Sequence, residues 1–256
     1  MYQILQYFKF LFTSTNQHGV HSPFVYDLVT KCLNDKTSYE AYSTLKAYRN
    51  ALVSNTETIR ITDLGAGSKR LDTQQRSIQN IAKTSGTTLK RAKLLFRLAN
   101  YLKPVHILEL GTSLGIATQA MALGNDEATV TSIEGCPTVS AIAYQQLDSF
   151  QITNTILKTG AFDTHLPEIK QQHWDLIFFD GNHQKVPTLQ YFEQLLPTAN
   201  NNTVFIFDDI YWSKDMTEAW ETIKLHPKVT ITIDTFFWGM VFFRKEQTKE
   251  NFKIRV

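Results

Sequence analysis

The chain has 256 residues, 43% of them hydrophobic and 20% charged, with a formal net charge of +2. That length suits one large domain with its own core, or a domain plus a small appendage, and the weak, scattered charge argues against a nucleic-acid backbone as partner, which needs a concentrated basic face. Two distant cysteines, Cys32 and Cys136, do not make a disulfide framework or a Cys-based zinc site and read as reduced thiols in a cytoplasmic protein, and no run nears the roughly 18 apolar residues needed to span a bilayer.

In chain order, residues 1 to about 60 read as mostly helical. The start, MYQILQYFKFLF, lacks the basic opening and small-residue cleavage site of a signal peptide. It reads as an amphipathic helix packed on the domain; lining an acceptor site and touching a membrane surface are its other uses. The loop Asn16–Pro23 separates the first helix from the second. Residues 61 to 88 are polar, with a short helix predicted around Gln74–Lys83. Leu94, Leu95, Leu98 and Leu102 have helical spacing, and that helix ends before Pro104. Its basic residues Lys90, Arg91, Lys93 and Arg97 read as a solvated face.

From Val105 onward, strands and helices alternate. The predicted strands are Val105–Leu110, Ala128–Glu134, Thr155–Thr159, Trp174–Asp180, Thr203–Asp208, Val229–Asp234 and Trp238–Arg244. Helices follow the first, second, fourth and fifth of these, and the last two strands are joined tightly. Near-continuous apolar strands of this kind imply a parallel sheet covered on both faces.

Open sheets of this kind bind ligands beyond the carboxyl ends of their strands. The first strand runs into Glu109-Leu110-Gly111-Thr112-Ser113-Leu114-Gly115, where Gly111 permits a tight turn and Gly115 lets a helix begin close to the sheet. The free N–H groups of that helix suit a carboxylate. The second strand ends at Glu134, an acid placed to accept from ribose hydroxyls. The third ends in Thr159-Gly160-Ala161-Phe162-Asp163, small enough to admit an adenine on which Phe162 packs.

In order and spacing these residues resemble the class I S-adenosylmethionine (SAM)-dependent methyltransferases, whose first motif is Glu-x-Gly-x-x-x-Gly. The resemblance covers about residues 85 to 245. It implies an α/β, Rossmann-like, seven-stranded and mostly parallel sheet with an antiparallel last strand, helices on both faces and a helical N-terminal extension. Residues 1–84 would form that extension or lid, and 85–256 the SAM-binding domain. It further implies that Glu109, Gly111, Thr112, Ser113 and Gly115 surround the methionine part of SAM, Glu134 the ribose, and Gly160, Ala161 and Phe162 the adenine. Thr84-Ser85 resembles the segment that touches the cofactor's amino-acid end in small-molecule O-methyltransferases. A second strand-and-glycine turn, Ile61–Ser68, lacks an apolar helix after it and a strand-end acid at the right distance. It is expected to be a loop beside the active site or merely structural.

The fourth strand ends Asp180-Gly181-Asn182-His183 and the fifth ends Asp208-Asp209-Ile210-Tyr211-Trp212. Three clustered carboxylates repel unless a cation compensates, and hard oxygen donors suit Mg²⁺. This resembles the metal-dependent O-methyltransferases of the catechol and macrocin-sugar types, with Asp180, Asp208 and Asp209 as metal ligands. Asn182 departs from the sugar type, where an acidic base is expected. His183 is the substitute base, with a pKa suited to the task. Asp180 counts with the catalytic groups, the cofactor contacts and the metal ligands. Tyr211, Trp212, Phe236, Phe237 and Trp238 read as core or lid packing, or as an acceptor pocket.

The expected activity is divalent-metal-assisted O-methylation of a small-molecule phenol or sugar hydroxyl, in a cytoplasmic protein able to form a homodimer. Alternatives are transfer to nitrogen, or to a nucleic-acid or protein acceptor, without metal, and a non-catalytic SAM-binding module. Asp180-Gly181-Asn182-His183 lacks the Pro-Pro of base amino-methyltransferases, and Ser113 stands where a dehydrogenase fingerprint has glycine.

Overall fold

The computed structural model describes residues 1–62 and 75–256. Most of the second glycine turn, Asp63–Ser68, lies outside them, so that expectation stays where the sequence left it. In chain order the elements are α1 (Tyr2–Thr13), α2 (Pro23–Leu28), α3 (Ala41–Ser54), β1 (Thr58–Arg60), β2 (Gln75–Ser77), α4 (Ile78–Thr84), α5 (Leu89–Leu102), β3 (His106–Leu110), α6 (Ile116–Gly124), β4 (Thr129–Glu134), α7 (Pro137–Ser149), β5 (Thr155–Thr159), α8 (Phe162–Ile169), β6 (Leu176–Phe179), α9 (Lys185–Leu195), β7 (Val204–Asp208), α10 (Lys214–Leu225), β8 (Ile231–Asp234), β9 (Trp238–Phe242) and β10 (Glu250–Lys253).

The chain divides into two units, one of residues 35–167 and one of residues 1–34 with 168–256. In the first unit β3, β4 and β5 pair in parallel, with Leu110 opposite Ile133 and Glu134 opposite Thr159. The carboxyl ends of the three strands are therefore level. β3 and β4 are buried almost throughout, whereas β5 is half-exposed, as an edge strand is. Thr88 caps α5 by accepting from the Arg91 N–H at 3.3 Å. The α5 stripe Leu94, Leu95, Leu98 and Ala99 is buried, and the helix stops at Lys103, which is left-handed (φ 50°) ahead of Pro104. The antiparallel pair β1–β2 was not visible in the sequence. It takes Gln75–Ser77 into a strand, so the short helix expected from Gln74 begins at Ile78, where Ser77 caps it.

In the second unit the strand order is β10-β8-β9-β7-β6. β6 and β7 are parallel, and β9 runs antiparallel to both β7 and β8. All seven expected strands are present, and the seventh is the antiparallel one. An eighth, β10, pairs in parallel with β8. Its sequence, ENFK, buries only Phe252 well, so it carries no apolar run to reveal it. Backbone pairing, rather than a hydrophobic face, makes it a strand. The eight strands are those of a mostly parallel, Rossmann-like α/β sheet.

α1 packs through Tyr7 and Phe10 on Phe236, with ring centroids 4.8 and 5.6 Å away, and the Tyr2 hydroxyl donates to Thr217 Oγ1 at 2.8 Å. The packed-helix reading of α1 is thus the geometry observed. The break after it is also local in origin: Asn16 Oδ1 accepts from the His18 N–H and Ser22 Oγ from the Val25 N–H, and Pro23 opens α2. Among the described residues no helix is long and apolar enough to cross a membrane.

Candidate active site

In the first unit the site is built on three level strand ends. The turn after β3 is left-handed at Gly111 (φ 111°), Ser113 (φ 48°) and Gly115 (φ 76°). At Gly115 a side chain is also excluded by space, because a Cβ would come within 2.6 Å of the Tyr48 hydroxyl oxygen. The turn is fastened to β4: the Gly111 and Thr112 amides donate to the Ile133 carbonyl at 3.0 and 3.3 Å. Glu134 ties the turns together. Its Oε2 accepts from the Ser113 N–H at 2.8 Å and its Oε1 from the Cys136 N–H at 2.9 Å. The Gly160 N–H donates to the Glu134 carbonyl at 2.9 Å, which brings the third strand end alongside. Gly111, Thr112, Ser113, Gly115, Glu134 and Gly160 are therefore assembled at one rim. Ala161 follows in the same turn and Phe162, half-buried, opens α8. Ser85 is exposed and sits at the end of α4, its hydroxyl 3.5 Å from that of Thr84. α8 itself was missed, because Pro167 lies within it and the sequence read as a small-residue turn.

Glu109 differs from the other acids. It is fully buried on β3, where its Oε2 accepts from the Thr118 and Ser132 hydroxyls, each at 2.5 Å, and its Oε1 has no partner. Burial pushes its pKa up to about 8, against the pull of the Ser132 and Thr118 bonds, and the nearby Glu134 charge adds to the rise. Folding thus favours the protonated acid. Between the unfolded value near 4.5 and about 8, the native state holds a proton that the unfolded state has lost, so stability falls as pH rises through that window. From pH 5 to 8 the loss attributable to Glu109 is expected to be on the order of 3 kcal/mol. Glu109→Gln, neutral throughout, should flatten it. Urea unfolding of both proteins at pH 5, 6.5 and 8 checks this, and equal pH slopes would refute it.

In the second unit Asp180, His183 and Asp208 offer one donor atom each, all within 4.8 Å of one another. His183 Nε2 lies 3.8 Å from Asp180 Oδ1. Asp208, at the end of β7, is buried, and its Oδ1 accepts from the Trp238 indole N–H at 2.6 Å. That bond from β9 fixes the carboxylate's orientation and was not predicted, although Trp238 stood in the aromatic cluster. Asp209, next in the chain, is left-handed (φ 51°), lies outside the group of three, and its carbonyl accepts from the Trp212 N–H at 2.8 Å. The turn at Asp180 is left-handed at Asn182 (φ 53°), whose buried Oδ1 has no partner.

Most of the aromatic cluster is packing. Tyr211 stacks on Phe236 with centroids 5.2 Å apart and donates its hydroxyl to Asp234 Oδ2 at 2.6 Å. Burial raises the pKa of both partners of that bond, holding the Tyr211 phenol protonated. Trp238 is buried, while Phe237 is half-exposed beside Phe236.

Residues 108–210 match a family profile described as a methyltransferase domain. Solved structures share the fold. The O-methyltransferase TomG from Streptomyces achromogenes, solved with SAM, has a TM-score of 0.58 at 16% identity, over 81% of this chain and 91% of that one. The SAH-bound methyltransferase PaMTH1 from Podospora anserina gives 0.59 at 13%, over 88% and 97%. An O-methyltransferase from Bacillus cereus in complex with SAH gives 0.54 at 18%, over 83% and 98%. A search of curated proteins finds no match. The match places a methyltransferase-type domain in residues 108–210, on a fold that solved methyltransferases share.

Proposed function

We propose that the chain moves the methyl group of SAM to a hydroxyl oxygen of a small molecule, with a divalent cation such as Mg²⁺ assisting. The observation that carries this reading is the convergence of Asp180, His183 and Asp208. Two carboxylates are oxygen donors that divalent ions accept, the imidazole beside them is a proton acceptor, and the O-methyltransferases among the similar structures support the choice of oxygen as acceptor.

On this reading the turn from Glu109 to Gly115 and Ser85 meet the methionine end of SAM, Glu134 its ribose, and Gly160, Ala161 and Phe162 its adenine. Asp180 and Asp208 would hold the cation, which when bound lowers the pKa of a hydroxyl. Asp209 is a candidate third ligand by resemblance alone. His183 Nε2 takes the hydroxyl proton, the acceptor oxygen forms its bond to the methyl carbon, and the sulfur–carbon bond breaks with its electron pair left on sulfur. Products are the methyl ether and S-adenosylhomocysteine. The residues' task is alignment, since an in-line displacement depends on the placement of its reactants.

Turnover on a panel of phenols and sugars is expected to vanish with EDTA and return with Mg²⁺ or Mn²⁺. Manganese alone, followed by its paramagnetic resonance signal, should bind the wild-type chain and not Asp208→Ala. Turnover that ignores the chelator would remove the metal and leave Asp180 and His183 as an acid–imidazole pair, a reading their 3.8 Å separation also favours.

A further inference from the structure

We propose that Tyr48, on α3 and upstream of the matched domain, is a positioning residue for SAM binding: its hydroxyl sets the peptide on which the cofactor turn closes. The inference rests on the reading that the Gly111–Gly115 turn holds the methionine end of SAM.

Tyr48 is completely buried. Its hydroxyl donates to the Leu114 carbonyl oxygen at 2.9 Å. In a trans peptide the carbonyl and the following N–H point in opposite directions. Fixing the Leu114 oxygen therefore also aims the Gly115 N–H, which donates to the Thr112 carbonyl at 2.9 Å and closes the turn. Within that closed turn lies Ser113, whose N–H reaches Glu134. Flipping the Leu114–Gly115 peptide would break the bonds at both of its ends. Gly115 is left-handed there, a conformation glycine enters without penalty and leaves as easily. A buried partner on one side of the peptide removes that freedom. The same oxygen occupies the space a Gly115 side chain would need, at 2.6 Å from its Cβ. Burial raises the pKa of Tyr48 well above that of a free phenol, so it remains a donor throughout the working pH range. Orienting this peptide requires only the hydroxyl; the ring's packing against Phe150, with centroids 5.0 Å apart, is a separate contribution.

The two contributions can be separated. Calorimetric titration with SAM should show Tyr48→Phe binding about tenfold more weakly than wild type. Phe150→Leu should lower the melting temperature yet keep its SAM affinity within twofold of wild type. Gly115→Ala should bind poorly. In the Tyr48→Phe background, where the obstructing oxygen is gone, its effect should be smaller than the product of the two single effects. Amide hydrogen exchange in the unaltered protein gives a measurement free of folding problems: the Gly115 N–H should exchange slowly even without SAM. Tyr48→Phe within twofold of wild type, Phe150→Leu as weak as Tyr48→Phe, strictly multiplicative effects, or fast Gly115 exchange would each overturn the proposal. A wild-type chain that does not bind SAM would instead sink the reading of the turn itself.

Discussion

His183→Ala is expected to slow the chemical step by about 10²–10⁴-fold, the range for a lost general base, with SAM affinity unchanged. The geometry gives the reason. His183 Nε2 sits 3.8 Å from Asp180 Oδ1 and among the donor atoms of Asp180 and Asp208, so its loss removes a proton acceptor from the acid cluster. Single-turnover measurements, with enzyme in excess over SAM, isolate that step from product release. An alanine variant with the wild-type single-turnover rate would show that the proton leaves by another route.

Glu134→Ala is expected to weaken SAM binding by about 100-fold, and it does so by a different physical path. The carboxylate accepts from the Ser113 and Cys136 amides at 2.8 and 2.9 Å, and so links the turns after β3 and β4. Hydrogen bonds to a charged group contribute about 1.5–3 kcal/mol each, and every 1.4 kcal/mol is tenfold in affinity. Alanine removes the ribose acceptor and orphans two amides together. Glu134→Gln keeps one oxygen acceptor and should fall between. Titration with S-adenosylhomocysteine, which has the same ribose, should show the same ranking; if both variants bound it like wild type, the acid would have no part in holding the nucleoside.

Much of the fold was legible because its signals are local. Apolar runs such as Leu176–Phe179 and Val204–Phe207, alternating with helical stretches, read as strands buried on both faces. The glycine turn and Glu134 were legible for a related reason: fixed offsets from strand ends place them, and parallel register then brings the ends level. β10 was not legible, because its strand character comes from pairing with β8 and not from its own side chains. Nor was α8, where Pro167 lies past the first turn, a place in which proline normally breaks a helix, and the helix ends two residues later.

The sequence alone determined which residue types stand at each strand end, since chain order and strand spacing carry that information without any distant contact. Only the tertiary structure decided which groups meet: the Tyr48 hydroxyl on the Leu114 carbonyl, the Trp238 indole on Asp208, and His183 near Asp180 and Asp208. It also decided that Glu109 is a buried acid favouring its protonated form, and not merely another strand-end carboxylate. Such pairings join residues far apart along the chain. Their strength depends on burial and orientation, which exist only once the chain has packed.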